Sequence, residues 1–168
     1  MTDGSSWTSG YIALDNNLMR FAEVLLMGAE AEVEAGAPEK AREYVNRVRT
    51  RAKNPSGFVK NPDGTPAAKY VISEYTAAWT DKTAARKAVR FERRLELAME
   101  GHRFFDLVRW GIAGETMNKY LETEKNKREY LRGATFKAGV SEYFPIPEQQ
   151  IILSSINGVP TLQQNPGY

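Results

Sequence analysis

The stretch richest in groups that could do chemistry is ERRLELAMEGHRFFDLVRWG, residues 92–111. It contains the only histidine of the sequence, His102, among four arginines, four carboxylates and many aliphatic and aromatic residues. Such a set could serve as an acid–base catalytic site, as a basic surface for nucleic acid, or as a packed lattice of ion pairs. All three uses need the same residue types, so spacing and context must decide between them.

A catalytic site would make His102 a general base oriented by Glu100 or Asp106. The sequence has no second histidine, no G-x-S-x-G turn and no H-E-x-x-H, so neither a hydrolase triad nor a histidine metal site can be built. Cysteine is absent, which excludes thiol catalysis, disulfides and cysteine-ligated metals. We expect a protein that is not an enzyme and uses no metal or cofactor, with a hydrolase centred on His102 as an alternative.

A nucleic-acid surface would use Arg86, Arg90 and Arg94, which recur at four-residue spacing. Nucleic-acid-binding domains usually carry a strong basic stripe, whereas the formal net charge here is only +2 over 168 residues. A row of this kind is more often solvated or paired with a neighbouring acidic element. The sequence therefore predicts no nucleic-acid partner.

The elements upstream of this stretch are predicted to form a helical hairpin. Residues 17–35 place apolar side chains on one stripe, at three- and four-residue steps: Leu18, Ala22, Leu25, Ala29 and Val33. Gly36 and Pro38 predict that the chain stops and restarts within about two residues, and the second helix covers 38–52. So short a joint makes the two helices antiparallel neighbours. The spacing of the small residues along the two helices loosely matches that of a tetratricopeptide-like hairpin.

The rest of the chain divides by composition. Residues 53–79 are rich in turn-forming residues and predict a long surface loop. Residues 80–132 predict further helices, the first from an N-cap at Asp81 to Glu100, then 104–110 after a break at Gly101, then 114–132. Residues 133–168 predict an irregular tail with an extended, proline-containing stretch and one helical turn. The fold class is therefore mainly all-α, with helical hairpins joined by long irregular loops.

The helix that leads into the opening stretch is apolar on two sides. One sector, the expected core face, contains Ala88, Phe91, Leu95, Ala98 and Met99. Val89 and Leu97 lie on the opposite side among the charges. A helix of this kind is usually covered on both sides, and charges beside it persist when they are paired. The candidate pairs are Arg93 with Glu96, Glu100 with Arg103, and Asp106 with Arg103 or Arg109. This favours a packed structural corner.

The same stretch resembles the signature of the SusD/RagB family, the surface glycan-binding lipoproteins of Gram-negative bacteria. Its signature positions here are Arg93, Glu96, Glu100, Gly101, Arg103, Asp106, Arg109 and Trp110. The segments MRFAEVLLMGAEA and AREYVNRVRTRA (19–31 and 41–52) resemble the family's helical hairpin, and YFPIPEQQI with the terminal QNPGY resembles the family's C-terminal end. Three ordered matches cover nearly the whole chain.

The resemblance implies that residues 1–168 are a single domain, the C-terminal part of a longer protein. It implies a non-catalytic role at the cell-surface side of the outer membrane, where the protein would cap a SusC-like TonB-dependent transporter and deliver oligosaccharides or other nutrients. The membrane attachment it implies is an N-terminal lipid anchor, which this chain lacks. In the sequence itself, no apolar run approaches the roughly 20 residues that span a bilayer.

For a sugar ligand we expect aromatic side chains in the irregular stretches to stack on the rings. The candidates are Trp7 and Tyr11 in SSWTSGY, and Tyr75 and Trp79 in SEYTAAW. Each could instead be an ordinary, partly buried anchor, as Trp110 is predicted to be. The alternative function is a free-standing helical module for protein–protein interaction, suggested by the hairpin 17–52. That module would need further repeats near 34 residues, and none is cleanly repeated.

Overall fold

The computed structural model describes residues 18–168, which form helices and irregular segments. The helices are α1 (Phe21–Ala35), α2 (Pro38–Ala52), α3 (Lys82–Glu96), α4 (His102–Arg109), α5 (Ala113–Glu124) and α6 (Glu148–Leu153). Across residues 18–168 the only β-pairing consists of two isolated bridges, so the predicted all-α class is confirmed. The chain divides into two compact units, one ending at Ala98 and the other comprising Met99–Tyr168.

The helical hairpin predicted from Gly36 and Pro38 is confirmed. Gly36 ends α1 in the left-handed conformation, with φ +91°, and Pro38 occupies the start of α2. The Ala37 amide donates to the Glu32 carbonyl at 2.8 Å, which satisfies a carbonyl at the end of α1. The first helix starts later than the sequence predicts: it begins at Phe21, and Leu18 is 85% exposed instead of joining the apolar stripe. The tetratricopeptide detail stays a prediction.

The first unit is a three-helix arrangement in which α1 packs against α2 and α3, and α2 packs against α3. Its buried core is drawn from all three helices: Leu26, Ala29, Val33, Ala41, Val45, Val48, Ala85 and Val89. Ion pairs join Glu34, near the end of α1, to Lys82 and Arg86 at the start of α3, so these two helices run antiparallel.

The prediction of which face of α3 is buried is wrong. Phe91 and Leu95 are each 51% exposed and Met99 is fully exposed, whereas Val89, Glu92 and Arg93 are buried. The other side of the helix faces the core because charged residues there have partners in neighbouring helices, which offset the cost of burial. Apolar periodicity alone assigns such a face to solvent.

The beginning of α3 follows the sequence signal, but its end does not. Asp81 caps the helix by accepting from the Thr83 amide at 2.7 Å, as predicted. The helix ends at Glu96 instead of Glu100. Gly101, with φ +81°, then precedes α4, which confirms the predicted break.

In the second unit the predicted helix 114–132 ends early, at Glu124. The tail is held by side chains that bind its backbone: Gln164 accepts from the Ile146 amide at 2.7 Å, and the Tyr168 hydroxyl donates to the Tyr143 carbonyl at 2.9 Å. The predicted helical turn in the tail is α6. None of the helices in the described part of the chain has the length and apolar character needed to cross a bilayer.

Candidate ligand-binding surface

The carboxylates at the start of the signature bind arginines from other helices. Arg49 Nη1 of α2 lies 2.6 Å from Glu92 Oε2 of α3, and the two side chains are only 16% and 6% exposed. Burial raises the pKa of Glu92, and the hydrogen bond and charge of Arg49 oppose that shift. The predicted burial of charged groups on α3 is confirmed, and the arginine that pairs with Glu92 comes from outside the signature.

Glu96 joins three elements at one carboxylate. Its side chain, 9% exposed, forms ion pairs with Arg20, just before α1, and with Arg51, near the end of α2. Arg20 also donates to the Glu96 backbone carbonyl. The start of α1 and the end of α2 are thereby held against the end of α3.

The later signature residues belong to the second unit. Asp106, 4% exposed, accepts from Arg109 Nε at 3.0 Å, one of the two pairings predicted for it. The guanidinium groups of Arg103 and Arg109 lie 5.7 Å and 5.1 Å from the Trp110 ring. His102 is the first residue of α4 and is half-buried. Among residues 18–168 no group of three His, Cys, Asp or Glu side chains is placed to hold a metal ion.

The segment 73–79 is fastened along α2 by side chains that bind its backbone. Asn46 Nδ2 donates to the Tyr75 carbonyl at 2.9 Å, and Asn46 Oδ1 accepts from the Tyr75 amide at 2.8 Å. Arg42 donates to the same carbonyl at 2.9 Å, and Glu39 accepts from the Trp79 amide. An irregular stretch thereby gains a defined position beside a helix.

This fastening brings Tyr75 and Trp79 together, edge to face, with ring centroids 5.2 Å apart. Both rings are half-buried and pack against the core of the first unit. Arg49 lies 4.8 Å over the Tyr75 ring, and burial raises the pKa of the Tyr75 hydroxyl. Each ring therefore anchors the segment through its buried part, and its remaining surface is exposed to solvent. The other two candidates, Trp7 and Tyr11, lie outside the described residues.

Two clefts flank the outer surface of α2 and share Arg47. The polar cleft, about 430 Å³, is lined by Arg42, Glu43, Asn46, Arg47 and Thr50. The mixed cleft, about 350 Å³, is lined by Arg20, Phe21, Ala22, Leu25, Arg47, Val48 and Arg51. Sequence reasoning misses both clefts, because the mixed cleft depends on how α1 approaches α2 and the polar cleft is lined by α2 alone. The only local signal is the run of polar residues on that surface, which is typical of an ordinary solvent-exposed face.

The two clefts differ in the groups that line them. The polar cleft is lined by guanidinium, hydroxyl, carboxylate and amide groups, of which Arg42, Asn46 and Thr50 already bind the segment 73–79. The mixed cleft adds apolar and aromatic surface. Volumes of this order suit small ligands, which a few polar groups orient. Fold and surface together define a helical scaffold with two open surface clefts.

The particular family follows from comparison with known proteins. The SusD family model matches residues 1–168, and the chain belongs to this family. SusD-like protein P2 of Formosa agariphila is 34% identical over 153 residues, which is 89% of this chain and 25% of that protein. SusD-like protein P25 of the same organism is 38% identical over 99 residues, which is 58% of this chain and 16% of the relative.

Solved structures give the same assignment. A SusD homologue from Bacteroides thetaiotaomicron aligns with a TM-score of 0.64 and 29% identity, covering 97% of this chain and 30% of its own. A SusD superfamily protein from Bacteroides vulgatus aligns with a TM-score of 0.61 and 26% identity, covering 90% of this chain and 27% of its own. The resemblance inferred from the signature is confirmed, and the chain spans about a quarter or less of the curated relatives it matches.

Proposed function

We propose that the chain is part of a non-catalytic protein that binds glycans for nutrient uptake at the cell-surface side of the outer membrane. The observation that carries this proposal is the match of the SusD family model to residues 1–168. The partner we propose is a SusC-like TonB-dependent transporter, and the membrane attachment is an N-terminal lipid anchor.

The surface along α2 supports a carbohydrate ligand. Sugars present hydroxyl groups, which need paired donors and acceptors, and C–H faces, which pack on aromatic rings. Arg42, Glu43 and Thr50 supply the polar groups, and Tyr75 lies against the same helix through its bonds to Asn46. We propose that Tyr75 and Trp79 offer their open surface to the sugar, together with Trp7 and Tyr11.

The test is a calorimetric titration of the 168-residue chain against a panel of neutral and acidic oligosaccharides. We expect Trp79→Ala to weaken the binding of the best ligand by about tenfold, as for the loss of one stacking contact. The control is Phe144→Ala in the second unit, a side chain 83% exposed, which should bind normally. Binding to no member of the panel would count against a glycan ligand. Unchanged binding by the Trp79 variant would remove only the stacking assignment.

The transporter is tested separately. The protein carrying its lipid anchor should co-purify with a SusC-like transporter from outer membranes in mild detergent. If the protein fails to co-purify but oligosaccharides still bind, the proposed transporter partner is contradicted and the proposed glycan ligand is not.

A further inference from the structure

The mixed cleft combines apolar surface with an excess of positive charge. Three arginines line it, Arg20, Arg47 and Arg51, along with the apolar side chains of Phe21, Ala22, Leu25 and Val48. Its volume of about 350 Å³ lies within the range of small-ligand pockets, roughly 300–1,000 Å³. A ligand that fits this lining has a negative group beside an apolar face.

The arginines are not equivalent. Arg20 and Arg51 both bind the carboxylate of Glu96, so two positive charges share one negative charge. Arg47 has no ion-pair partner within residues 18–168, and its guanidinium lies 5.4 Å over the Phe21 ring. A guanidinium binds a carboxylate through two parallel hydrogen bonds. Arg47 is therefore the group through which the cleft can bind an anion without breaking a contact to Glu96.

Phe21, beside Arg47, offers a surface on which the rest of an anionic ligand can pack. Phe21 is 63% exposed although it belongs to the first turn of α1. Leu25 and Val48 extend this apolar surface into the cleft. Packing on such surface favours a ring with C–H faces over a small inorganic anion, which gains nothing from apolar contact.

We propose that the mixed cleft binds an acidic sugar unit, a hexuronate, with its carboxylate on Arg47 and its ring against Phe21. This inference rests on the proposed function and narrows its ligand class to acidic oligosaccharides. Arg47 also lines the polar cleft, so an oligosaccharide can place its acidic unit in the mixed cleft and the hydroxyls of the next unit against Thr50 and Glu43.

The probe is a tetrasaccharide of galacturonate, compared by calorimetry with the same tetrasaccharide fully methyl-esterified. We expect the acid to bind about tenfold more tightly, the effect of one charge-assisted hydrogen-bonded pair. Raising the salt from about 0.1 M to about 1 M shortens the screening length from about 10 Å to about 3 Å. That change should remove most of the difference between the acid and its ester.

The variant is Arg47→Gln, and its matched control is Arg94→Gln, an exposed arginine on α3. We expect Arg47→Gln to bind acid and ester alike, and Arg94→Gln to keep the preference, with unchanged circular dichroism for both variants. Equal binding of acid and ester by the unaltered chain would overturn the inference and leave glycan binding standing. A preference that survives Arg47→Gln would place the acidic unit elsewhere and overturn the assigned cleft. If no oligosaccharide binds at all, the proposed function and this inference fail together.

Discussion

Arg49 Nη1 and Glu92 Oε2 lie 2.6 Å apart and form an ion pair that joins α2 to α3 across the buried side of α3. Arg49 also donates to the Ser73 carbonyl and lies over the Tyr75 ring, 4.8 Å from its centre. One guanidinium thus connects the helical core to the segment that carries the proposed sugar-stacking residues. The stability of the first unit and the position of the segment 73–79 are therefore coupled through this residue.

Arg49→Met should therefore destabilise the first unit strongly. The substitution leaves Glu92 buried without its partner, and removing one member of a buried pair costs about 3 kcal/mol or more. Loss of Arg49 also removes the hydrogen bond and the charge that oppose the effect of burial, so the pKa of Glu92 should rise further. A raised folded-state pKa favours the folded protein at low pH. The loss of stability in Arg49→Met should therefore shrink as the pH falls from neutral toward 4.5, the ordinary pKa of Glu. Urea unfolding of the variant and the unaltered chain, at neutral pH and at pH 4.5, measures this loss of stability.

Two controls isolate the buried charge. The double variant, Arg49→Met with Glu92→Met, replaces the pair by apolar side chains. It should recover at least half of the free energy of unfolding that Arg49→Met alone loses. Lys40→Met removes an exposed ion pair with Glu43 and should leave stability unchanged. If the double variant is no more stable than Arg49→Met alone, the cost arises from the contacts to Ser73 and Tyr75 instead.

The sequence predicts those parts of the fold whose signals are local. Gly36 and Pro38 define the joint of the hairpin, and Asp81 marks the start of α3, because each acts on its own backbone or on residues two or three positions away. The buried face of α3 could not be predicted in this way. It depends on Arg49, which lies 43 positions before its partner Glu92.

The candidate binding surface shows the same limit. Aromatic residues in turn-rich segments indicate Tyr75 and Trp79 as candidates, and the structure places them together. The mixed cleft could not be predicted, because its walls come from α1 and α2, which meet only in the folded chain. The polar cleft lies on α2 alone, where its residues have the pattern of an ordinary solvent-exposed face. The exposed sector of α3, with Phe91 and Leu95, is wrongly predicted as core for a related reason: periodicity identifies an apolar face but not what covers it.

Glu34 should confer stability that is lost in acid. It accepts from Arg86 Nε at 2.6 Å and lies 3.2 Å from Lys82 Nζ, and these partners lower its pKa from 4.5 to about 2. A lowered folded-state pKa contributes stability above pH 4.5 that disappears as the pH falls through about 2. Glu34→Gln should therefore flatten the pH dependence of unfolding within this window, most clearly at low salt. Glu122→Gln, at an exposed position on α5, is the control and should keep the slope of the unaltered chain.

The turn between α3 and α4 contains two left-handed residues that should respond in opposite directions. Gly101 has φ +81° and no atom within 4 Å of the position that a β-carbon would occupy, so Gly101→Ala should cost about 1 kcal/mol through backbone strain alone. Met99 has φ +68° and is fully exposed. Met99→Gly should relieve strain without loss of packing and raise the unfolding midpoint slightly. Differential scanning fluorimetry of both variants checks this, and a destabilised Met99→Gly would show that its side chain contributes contacts.

Gly167 should be required for closure of the C-terminal tail. Its φ is +88°, and a β-carbon there would lie 2.7 Å from both γ-methyl groups of Val140. Gly167→Ala therefore adds a steric clash to the backbone strain. We expect it to release the bonds that Tyr168 and Asn165 make to the 143–144 backbone, and to speed cleavage of the tail by carboxypeptidase.

The steric part of this effect can be separated from the conformational part with Gly158, which has φ +80° and no atom within 4 Å of its own β-carbon position. Gly158→Ala carries the same backbone strain as Gly167→Ala, about 1 kcal/mol, without the clash. The tail of this control should be cleaved more slowly than that of Gly167→Ala. Adding Val140→Ala to Gly167→Ala removes both close methyl groups and should restore part of the protection, because the contact to Val140 Cβ, at 3.3 Å, remains. Equal cleavage of the two glycine variants would mean that Val140 moves aside and that only the backbone conformation matters at Gly167.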